Sequence, residues 1–441
     1  PNLKYLNLEK CSNLEEIHHS LGCCRKLIRL NLRYCKSLKR FPCFNVESLE
    51  YLDFEFCYML EKFPEIHGIR EQPSSITQYQ TRITKLDLSG MRSLVALPSS
   101  IYKLKSLVFL NVSRCSKLES LPEEIGDLDY LEKLHAIDTL ISRPPSSIVR
   151  LNKLKILMFG GFEDGVHFEF PPVAEGLRSL EHLDLTCCNL IDGGLPEDIG
   201  SLSSLKKLEL HGNNFEHLPR SIAQFGALRY LGLSYCERLT QLPELPPELN
   251  ELRVDCHMAM KSIHDLVTKR KKLQRVKLSA HNDSIYNLFA HALFQNISSL
   301  RHDISASDSL SENVFTIWHS ETKIPSWFYH KGWGNSVSVN LPESWYIPDK
   351  FLGFVVCYCG SLIDTTSQLI PVCDDGMSCM IQKLALSNHS ECDTESSDNS
   401  EWDTEVDSNF FFVNSDDSER YKLIHFFLVP LAVLWDTSKA K

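Results

Sequence analysis

Residues Leu228 to Pro243 read LRYLGLSYCERLTQLP. Leu228, Leu231 and Leu233 form one apolar group and Leu239 and Leu242 a second, with Cys236 between them and Pro243 closing the stretch. The Leu-x-Leu step has period two, so in an extended strand the leucines share one face and the residues between them the other. A single stretch of this kind cannot bury its own apolar face, and its meaning depends on recurrence.

The pattern does recur. First positions fall at Leu3, Leu27, Leu49, Ile83, Leu107, Leu131, Leu154, Leu180, Leu205, Leu228 and Leu249, eleven units in all, which we number repeats 1 to 11. Their spacing is 21 to 26 residues except for a step of 34 between Leu49 and Ile83, which we read as hiding a degraded unit around Ile66 to Gln80. Leucine-rich units at a steady period make a solenoid of stacked repeats. The expected fold class is therefore an α/β leucine-rich-repeat solenoid with a curved parallel sheet over residues 1–257.

Within each unit the second apolar pair ends in Leu-Pro or Phe-Pro, as at Phe41-Pro42, Phe63-Pro64, Leu97-Pro98, Leu121-Pro122 and Leu218-Pro219. Proline there opposes a long continuous helix. Ser-Ser-Ile pieces such as Ser99 to Ile101 and Ser146 to Ile148 then read as short 3₁₀ segments with serine as the cap. Gly160 to Pro172, GGFEDGVHFEFPP, interrupts the period and reads as an insertion that leaves one face, either a binding loop or a plain surface loop.

The sixteen cysteines would suggest disulfides in a secreted chain. Six of them, Cys11, Cys35, Cys57, Cys115, Cys188 and Cys236, hold the same turn position in six repeats. That period makes them packing residues that point inward and stack one repeat apart, which favours a reduced, intracellular setting. No run of 18 apolar residues occurs, so no membrane span is expected. The nearest candidate, Leu423 to Trp435, reads as two strands meeting at Pro430.

Formal charge is −11, and Ser390 to Glu419 holds eleven Asp or Glu with no Lys or Arg, so the rest of the chain is neutral. That balance argues against nucleic acid as a partner, since phosphate requires net basic surface. Residues 258–311 read as a helical cap and linker. Their basic run at Lys269 to Lys272, with Arg275 and Lys277, is read as the solvated face of a capping helix rather than an import or nucleic-acid patch, and SIYNLFAHALFQNI as a second helix. Residues 312–441 change to short alternating runs, NVFTIWHS, SVSVNLP, KFLGFVVCYC, CMIQKLALS, NFFFV and YKLIHFFLV. These suggest an antiparallel β-sandwich with a disordered acidic loop at 390–419.

Candidate binding residues follow from the strand period. The second, fourth and sixth residues after each first leucine form columns on the outward face of the sheet. We select Tyr5, Asn7, Arg29, Arg33, Tyr51 and Glu55 at one end, Phe109, Asn111, Lys133 and His135 in the middle, and His182, Asp184, Lys207, His211, Tyr230 and Arg253 at the other. Aromatic and arginine side chains bury large area with few rotors, which suits protein recognition. Catalytic constellations are not expected: no Gly-x-Ser-x-Gly elbow, zinc-helix motif or phosphate loop appears. Cys357, Cys359, Cys373 and Cys379 could supply four thiolates to zinc, but the first two read as buried strand cysteines, and no cofactor is assigned. A ubiquitin ligase would need a reactive cysteine in a polar pocket, which the apolar strand runs do not offer. Asn111-Val112-Ser113 is a glycosylation sequon on the outward face, where a glycan would obstruct binding, which disfavours an extracellular receptor.

The repeats with Cys turns and Leu-Pro endings resemble those of plant intracellular nucleotide-binding, leucine-rich-repeat immune receptors. The stretch Ile324-Pro325-Ser326-Trp327-Phe328, then Ser336 to Pro342 with Trp345, then Phe351-Leu352-Gly353-Phe354, resembles the jelly-roll/immunoglobulin-like domain (C-JID) that follows the repeats in the Toll/interleukin-1-receptor (TIR) class. FFLVPLAVLWDTSKAK at the end and LIDGGLPEDIGSLSSLKKLEL within the repeats are similar to the nightshade branch of that family. The resemblance implies recognition of a pathogen effector or a guarded host protein, contact with a nucleotide-binding switch, and a cytoplasmic or nuclear location. The TIR NADase and the switch would lie outside this chain, which begins at Pro1 within a repeat.

Overall fold

In the computed structural model, description covers residues 2–67 except 47, and 82–259 except 162–166 and 174–175. Beyond these it covers 261, 273, 275–279, 288–289 and 292, and the backbone of 314–319, 353–359, 365–367, 384–386 and 422–430. The chain divides into two compact units, Pro1–Leu252 and Arg253–Lys441.

In the first unit, repeats 1 to 10 each contribute one short strand, from Tyr5–Asn7 in repeat 1 to Tyr230–Leu233 in repeat 10. Neighbours pair in parallel and in chain order. Register follows the sequence repeat: Tyr5 faces Arg29 and Arg29 faces Tyr51, while Leu6 faces Leu30 and Leu30 faces Leu52. The leucine positions make the core, with Leu30, Leu86, Leu110, Leu134, Leu157, Leu183, Leu208 and Leu231 all at 0% exposure. Each such side chain contributes roughly 1.5–3 kcal/mol by burial.

One residue after each strand face takes a left-handed turn. Lys10, Tyr34, Phe56, Gly90, Arg114, Asp138, Gly161, Cys187, Gly212 and Tyr235, each seventh after its first leucine, all have φ between 50° and 77°. The turn places the following cysteine inward. Cys35, Cys57, Cys115 and Cys236 donate their thiols to the carbonyls of Leu8, Leu32, Leu88 and Leu210 in the preceding repeat, at 3.1 to 3.2 Å. Burial pushes the Cys115 thiol up to about 12, out of reach of thiolate chemistry. Cys11 departs from the inward expectation. It is exposed in the first of these repeats.

The return segments carry the short 3₁₀ helices Ser99–Lys103, Glu123–Asp127, Ser146–Arg150 and Arg220–Gln224. Proline, not serine, holds their N-cap position: Pro98, Pro122, Pro145 and Pro219 are each capped by no side chain of their own. Their amides are satisfied sideways instead. The Glu123 carboxylate accepts from the Ser146 and Ser147 amides of the next repeat, at 3.3 and 3.1 Å. The Ser100 hydroxyl accepts from the Ile66 amide at 3.0 Å and donates to Glu65 at 2.5 Å. Serine here stitches repeats together.

Two further expectations need correction. Asp53 of repeat 3 pairs directly with Asp87 of repeat 4, which leaves no strand for a degraded unit between them. On the return side Ile66–His67 pairs with Phe44–Asn45; residues 68–81 fall outside the described set. The insertion also fails to leave the molecule along its whole length. Phe168 and Phe170 are 0% and 5% exposed, Phe168 lies 5.2 Å from the Phe159 ring, and the Phe170 amide donates to the Gly194 carbonyl. Aromatic area turns that half of the insertion into core, while 162–166 lie outside the described residues.

In the second unit, Arg275 and Lys277 belong to a strand, Arg275–Ser279, not to a basic helix. Alternation decides this, since Val276 and Leu278 are buried between them. The strand runs parallel to Val314–His319, which pairs antiparallel with Lys422–Pro430, which in turn pairs antiparallel with Gly353–Cys359. Thr365–Ser367 and Leu384–Leu386 form a second antiparallel pair. Pro430 ends a nine-residue strand that bears out the first of the two strands expected to meet there; the second, at 431–435, lies outside the described residues. Leu288, Phe289 and Ala292 are helical within the expected second helix. Lys269 to Lys272, SVSVNLP, NFFFV and the acidic loop lie outside the described residues. No helix among the described residues is long and apolar enough to cross a membrane.

Candidate protein-binding face

The selected columns stand on one face of the sheet because the leucines between them occupy the other. They do not share one environment. In repeats 1 to 6 the face is open: Tyr5 is 63% exposed, Arg29 and Lys133 are exposed, and Tyr51, Arg33, Glu55, Phe109 and Asn111 are half-buried. Arg33 pairs with Glu55 at 2.6 Å, and the Tyr51 hydroxyl donates to Asp53 at 2.8 Å. Burial holds the Asp53 and Glu55 carboxyls above their ordinary range. Burial and the bond to Asp53 likewise push the Tyr51 hydroxyl up. Asn111 Oδ1 accepts from the Ser113 amide at 3.0 Å.

The middle of the face is drier. Phe109 meets the His135 ring edge-on at 5.1 Å. Between His135 and His182 lie Ile156 and Met158, the latter 5% exposed. Nε2 of both histidines is buried without a hydrogen-bond partner among the described residues. Burial, with Lys133 near one and Lys207 near the other, pulls each imidazole down to about 4, so both are neutral near pH 7.

Towards repeat 10 the face closes over a polar network. Asp184, Glu209 and His211 are 8%, 4% and 8% exposed. Glu209 accepts from the Tyr230 hydroxyl at 3.1 Å and lies 2.5 Å from His211 Nε2 and 3.2 Å from Lys207 Nζ. His211 Nδ1 accepts from the Ser234 amide at 3.1 Å, which places the ring proton on Nε2, facing Glu209. Burial raises the Asp184 carboxyl, opposed by its bonds from Thr186. Gly232 permits the arrangement, since a Cβ there would sit 2.7 Å from His211 Cε1. Arg253 is half-buried in the strand Glu251–Asp255.

The sequence places these columns on one face, as the structure does, but the selection missed members of them. Asp53, Asp87, Met158 and Glu209 occupy the fourth position and were left out, although the same count reaches them. It also missed the left-handed column, where Tyr34 and Phe56 stack at 4.9 Å, and the column two residues on, where Lys36 and Arg92 approach the Tyr58 ring at 5.9 and 5.0 Å. The recurring tight turn before each cysteine was the available signal. Among the C-terminal motif residues, Gly353 opens its strand opposite Pro430, while Ile324, Pro325, Trp327, Phe328 and Trp345 lie outside the described residues. Cys357 and Cys359 sit two apart in one strand; Cys373 and Cys379 are not described. No group of three metal-ligating side chains occurs among the described residues.

A family model of the C-JID domain matches residues 319–441, and one of the leucine rich repeat matches 178–237. The chain is similar to TMV resistance protein N of Nicotiana glutinosa, 70% identical over 455 aligned positions that cover 100% of this chain and 38% of that protein. It is 33% identical to disease resistance-like protein DSC1 of Arabidopsis thaliana, over 78% of this chain and 30% of that protein. Disease resistance protein RPS4B of the same plant is 28% identical over 84% of this chain and 28% of its own length. The chain thus spans between 28% and 38% of the length of these relatives. Among solved structures, the leucine-rich repeat domain of a type III effector is 22% identical with a TM-score of 0.35, covering 44% of this chain and 67% of that one. With the solenoid and the C-terminal match in place, the chain belongs to the plant TIR-class nucleotide-binding leucine-rich-repeat disease resistance proteins, of which it is the leucine-rich-repeat and C-JID part and TMV resistance protein N a close relative.

Proposed function

We propose that this chain is the recognition and autoinhibitory module of a plant immune receptor that works in the cytoplasm or nucleus. The observation that carries the reading is 70% identity to a resistance protein over the whole chain, joined to a sheet face whose exposed half is aromatic and cationic. Its ligand is a pathogen effector or a guarded host protein, and it binds rather than catalyses. We divide it into a solenoid at 1–257, a cap and linker at 258–311 and a C-terminal β-sandwich at 312–441. The antiparallel pairing of Val314–His319, Lys422–Pro430 and Gly353–Cys359 supports the last of these. Capture is bidentate: the sheet face and the C-terminal domain hold one ligand together, and occupation weakens contacts to a nucleotide-binding switch.

Within the candidate set, Tyr5, Arg29 and Lys133 are the residues to test. Tyr230 is a poor choice, because its hydroxyl is tied to buried Glu209 and its loss would disturb folding. The experiment grafts this chain onto the remainder of TMV resistance protein N and scores cell death in leaves against candidate effectors. Tyr5→Ala with Arg29→Ala should abolish the response to a recognised effector without lowering protein level. An unchanged response would remove the open half of the face from recognition.

A further inference from the structure

The second position of successive repeats alternates aromatic and cationic side chains over six adjacent strands: Tyr5, Arg29, Tyr51, Lys85, Phe109 and Lys133. They are side by side in the sheet by register. Each of the first two cations lies against the aromatic ring of the next repeat, Arg29 at 4.6 Å from the Tyr51 centroid and Lys85 at 5.2 Å from that of Phe109. Arg29 and Lys133 have no ion pair among the described residues, and Lys85 reaches Asp87 only at 3.9 Å.

Strands lie about 4.8 Å apart, so cations on alternate strands repeat at about 9.6 Å. A polyproline II chain has three residues per turn and advances about 3.1 Å per residue, bringing one face back every ~9.3 Å. Over the two intervals from Arg29 to Lys133 the mismatch is only about 0.6 Å. An α-helix returns a face after two turns at about 10.8 Å and falls out of step by about 2.4 Å over the same span. The rings between the cations suit proline or small side chains, as in other aromatic-lined grooves that take extended peptides. A nucleic-acid strand carries charge at every nucleotide, and the carboxylates of Asp53, Glu55 and Asp87 on the same face would oppose it. A peptide with uncharged residues between its carboxylates carries fewer charges, which fall over Arg29, Lys85 and Lys133, and so meets less of that repulsion.

We propose that this ladder takes an extended, proline-bearing acidic segment of a partner protein, with a carboxylate at every third residue over Arg29, Lys85 and Lys133. The inference rests on the reading of this face as a recognition surface and specifies its ligand class. The test uses the full chain and fluorescent peptides of the type (Asp-Pro-Ala)3, against peptides of identical composition with carboxylates two or four residues apart, at physiological salt. The period-three peptide should bind at least tenfold more tightly than either control. Arg29→Ala with Lys133→Ala should remove that preference, and an excess of single-stranded RNA should not displace the peptide.

Equal binding of all three peptides, no binding of any, or an unaltered preference in the double variant overturns the ligand class, and displacement by RNA overturns it in favour of nucleic acid. The cell-death assay separates this from the wider reading. If the peptides fail while Tyr5→Ala with Arg29→Ala still abolishes the response, the face recognises a ligand of another shape. If both fail, the face is not the recognition surface.

Discussion

The open face of repeats 1 to 6 and the closed face of repeats 8 to 10 are built from the same sequence positions, yet most of those positions are more exposed in the first than in the second. Arg29 and Lys133 at the second position are exposed where Lys207 and Tyr230 are half-buried, and Glu55 at the sixth is half-buried where His211 is 8% exposed. A position in the repeat therefore fixes direction but not environment. On the open half Arg29 and Lys133 carry no ion pair among the described residues and can be turned to a ligand, while the charges on the closed half are already committed to one another. If that division is right, substitutions at the closed end should cost stability and those at the open end should cost binding.

The largest effect is expected under the closed end, at the turn of repeat 9. Asn213 replaces the usual cysteine there and is fully buried. Its amide donates to the carbonyls of Leu185 and Leu210 at 2.9 and 2.8 Å, and its oxygen accepts from the amides of Cys188 and Leu190 at 3.1 and 2.9 Å. Cys115 makes a single thiol bond at the equivalent place. Asn213→Ala leaves several buried backbone groups unpaired and should destabilise the chain by about 3–5 kcal/mol in chemical denaturation, against about 1 kcal/mol for Cys115→Ser. Similar losses for the two would show that the turn position is interchangeable.

Next comes the network itself. Glu209→Ala strips the partner from the Tyr230 hydroxyl and His211 Nε2, at an expected cost of about 2–3 kcal/mol. Tyr230→Phe removes one bond and should cost about 1 kcal/mol. A neutral Glu209→Ala in thermal unfolding would mean that the closed half is as available to ligand as the open one.

The middle of the face gives a pH signature. His135 and His182 sit at about 4, below the unfolded value of roughly 6.5. Between those limits the unfolded chain binds the extra protons, so stability is full above about pH 7 and falls as pH drops through 6.5 towards 4. Each imidazole should withdraw about 1–2 kcal/mol between pH 7 and pH 5. The raised carboxyls of Asp53 and Asp184 act in the opposite sense, gaining protons on folding as pH falls. His135→Gln with His182→Gln should flatten the fall in melting temperature over that interval; a slope unchanged from the parent would place the acid sensitivity elsewhere.

How much of this was legible beforehand follows from what each feature depends on. Leucine spacing alone places Leu30, Leu110 and Leu208 in the core and sets the outward columns, because strand periodicity is local. The direct pairing of Asp53 with Asp87 was not legible, since a 34-residue step looks the same whether it hides a strand or lengthens a return. Nor was the burial of Phe168, which depends on Phe159 in the preceding strand. The serine pieces misled for a related reason: their capping partners, such as Glu123 for Ser147, come from the adjacent repeat. Among the candidate residues, chemistry was readable but environment was not, so Tyr5 and Tyr230 looked equivalent in sequence and differ in their surroundings.

The smallest expected effect on stability is also the sharpest test of the division. Arg29 is held mainly by its contact with the Tyr51 ring, and Lys133 is exposed without an ion pair among the described residues. Exposed cation–ring contacts contribute about 0.5–1 kcal/mol, and an unpaired surface lysine close to nothing. Arg29→Ala with Lys133→Ala should therefore shift the denaturation free energy by less than about 1 kcal/mol. A larger loss would mean that the open half, like the closed one, spends its charges on folding, and any accompanying loss of binding would then report unfolding instead of recognition. A small shift joined to an abolished cell-death response ties the two cations to the ligand, because no change in the folded population could account for it.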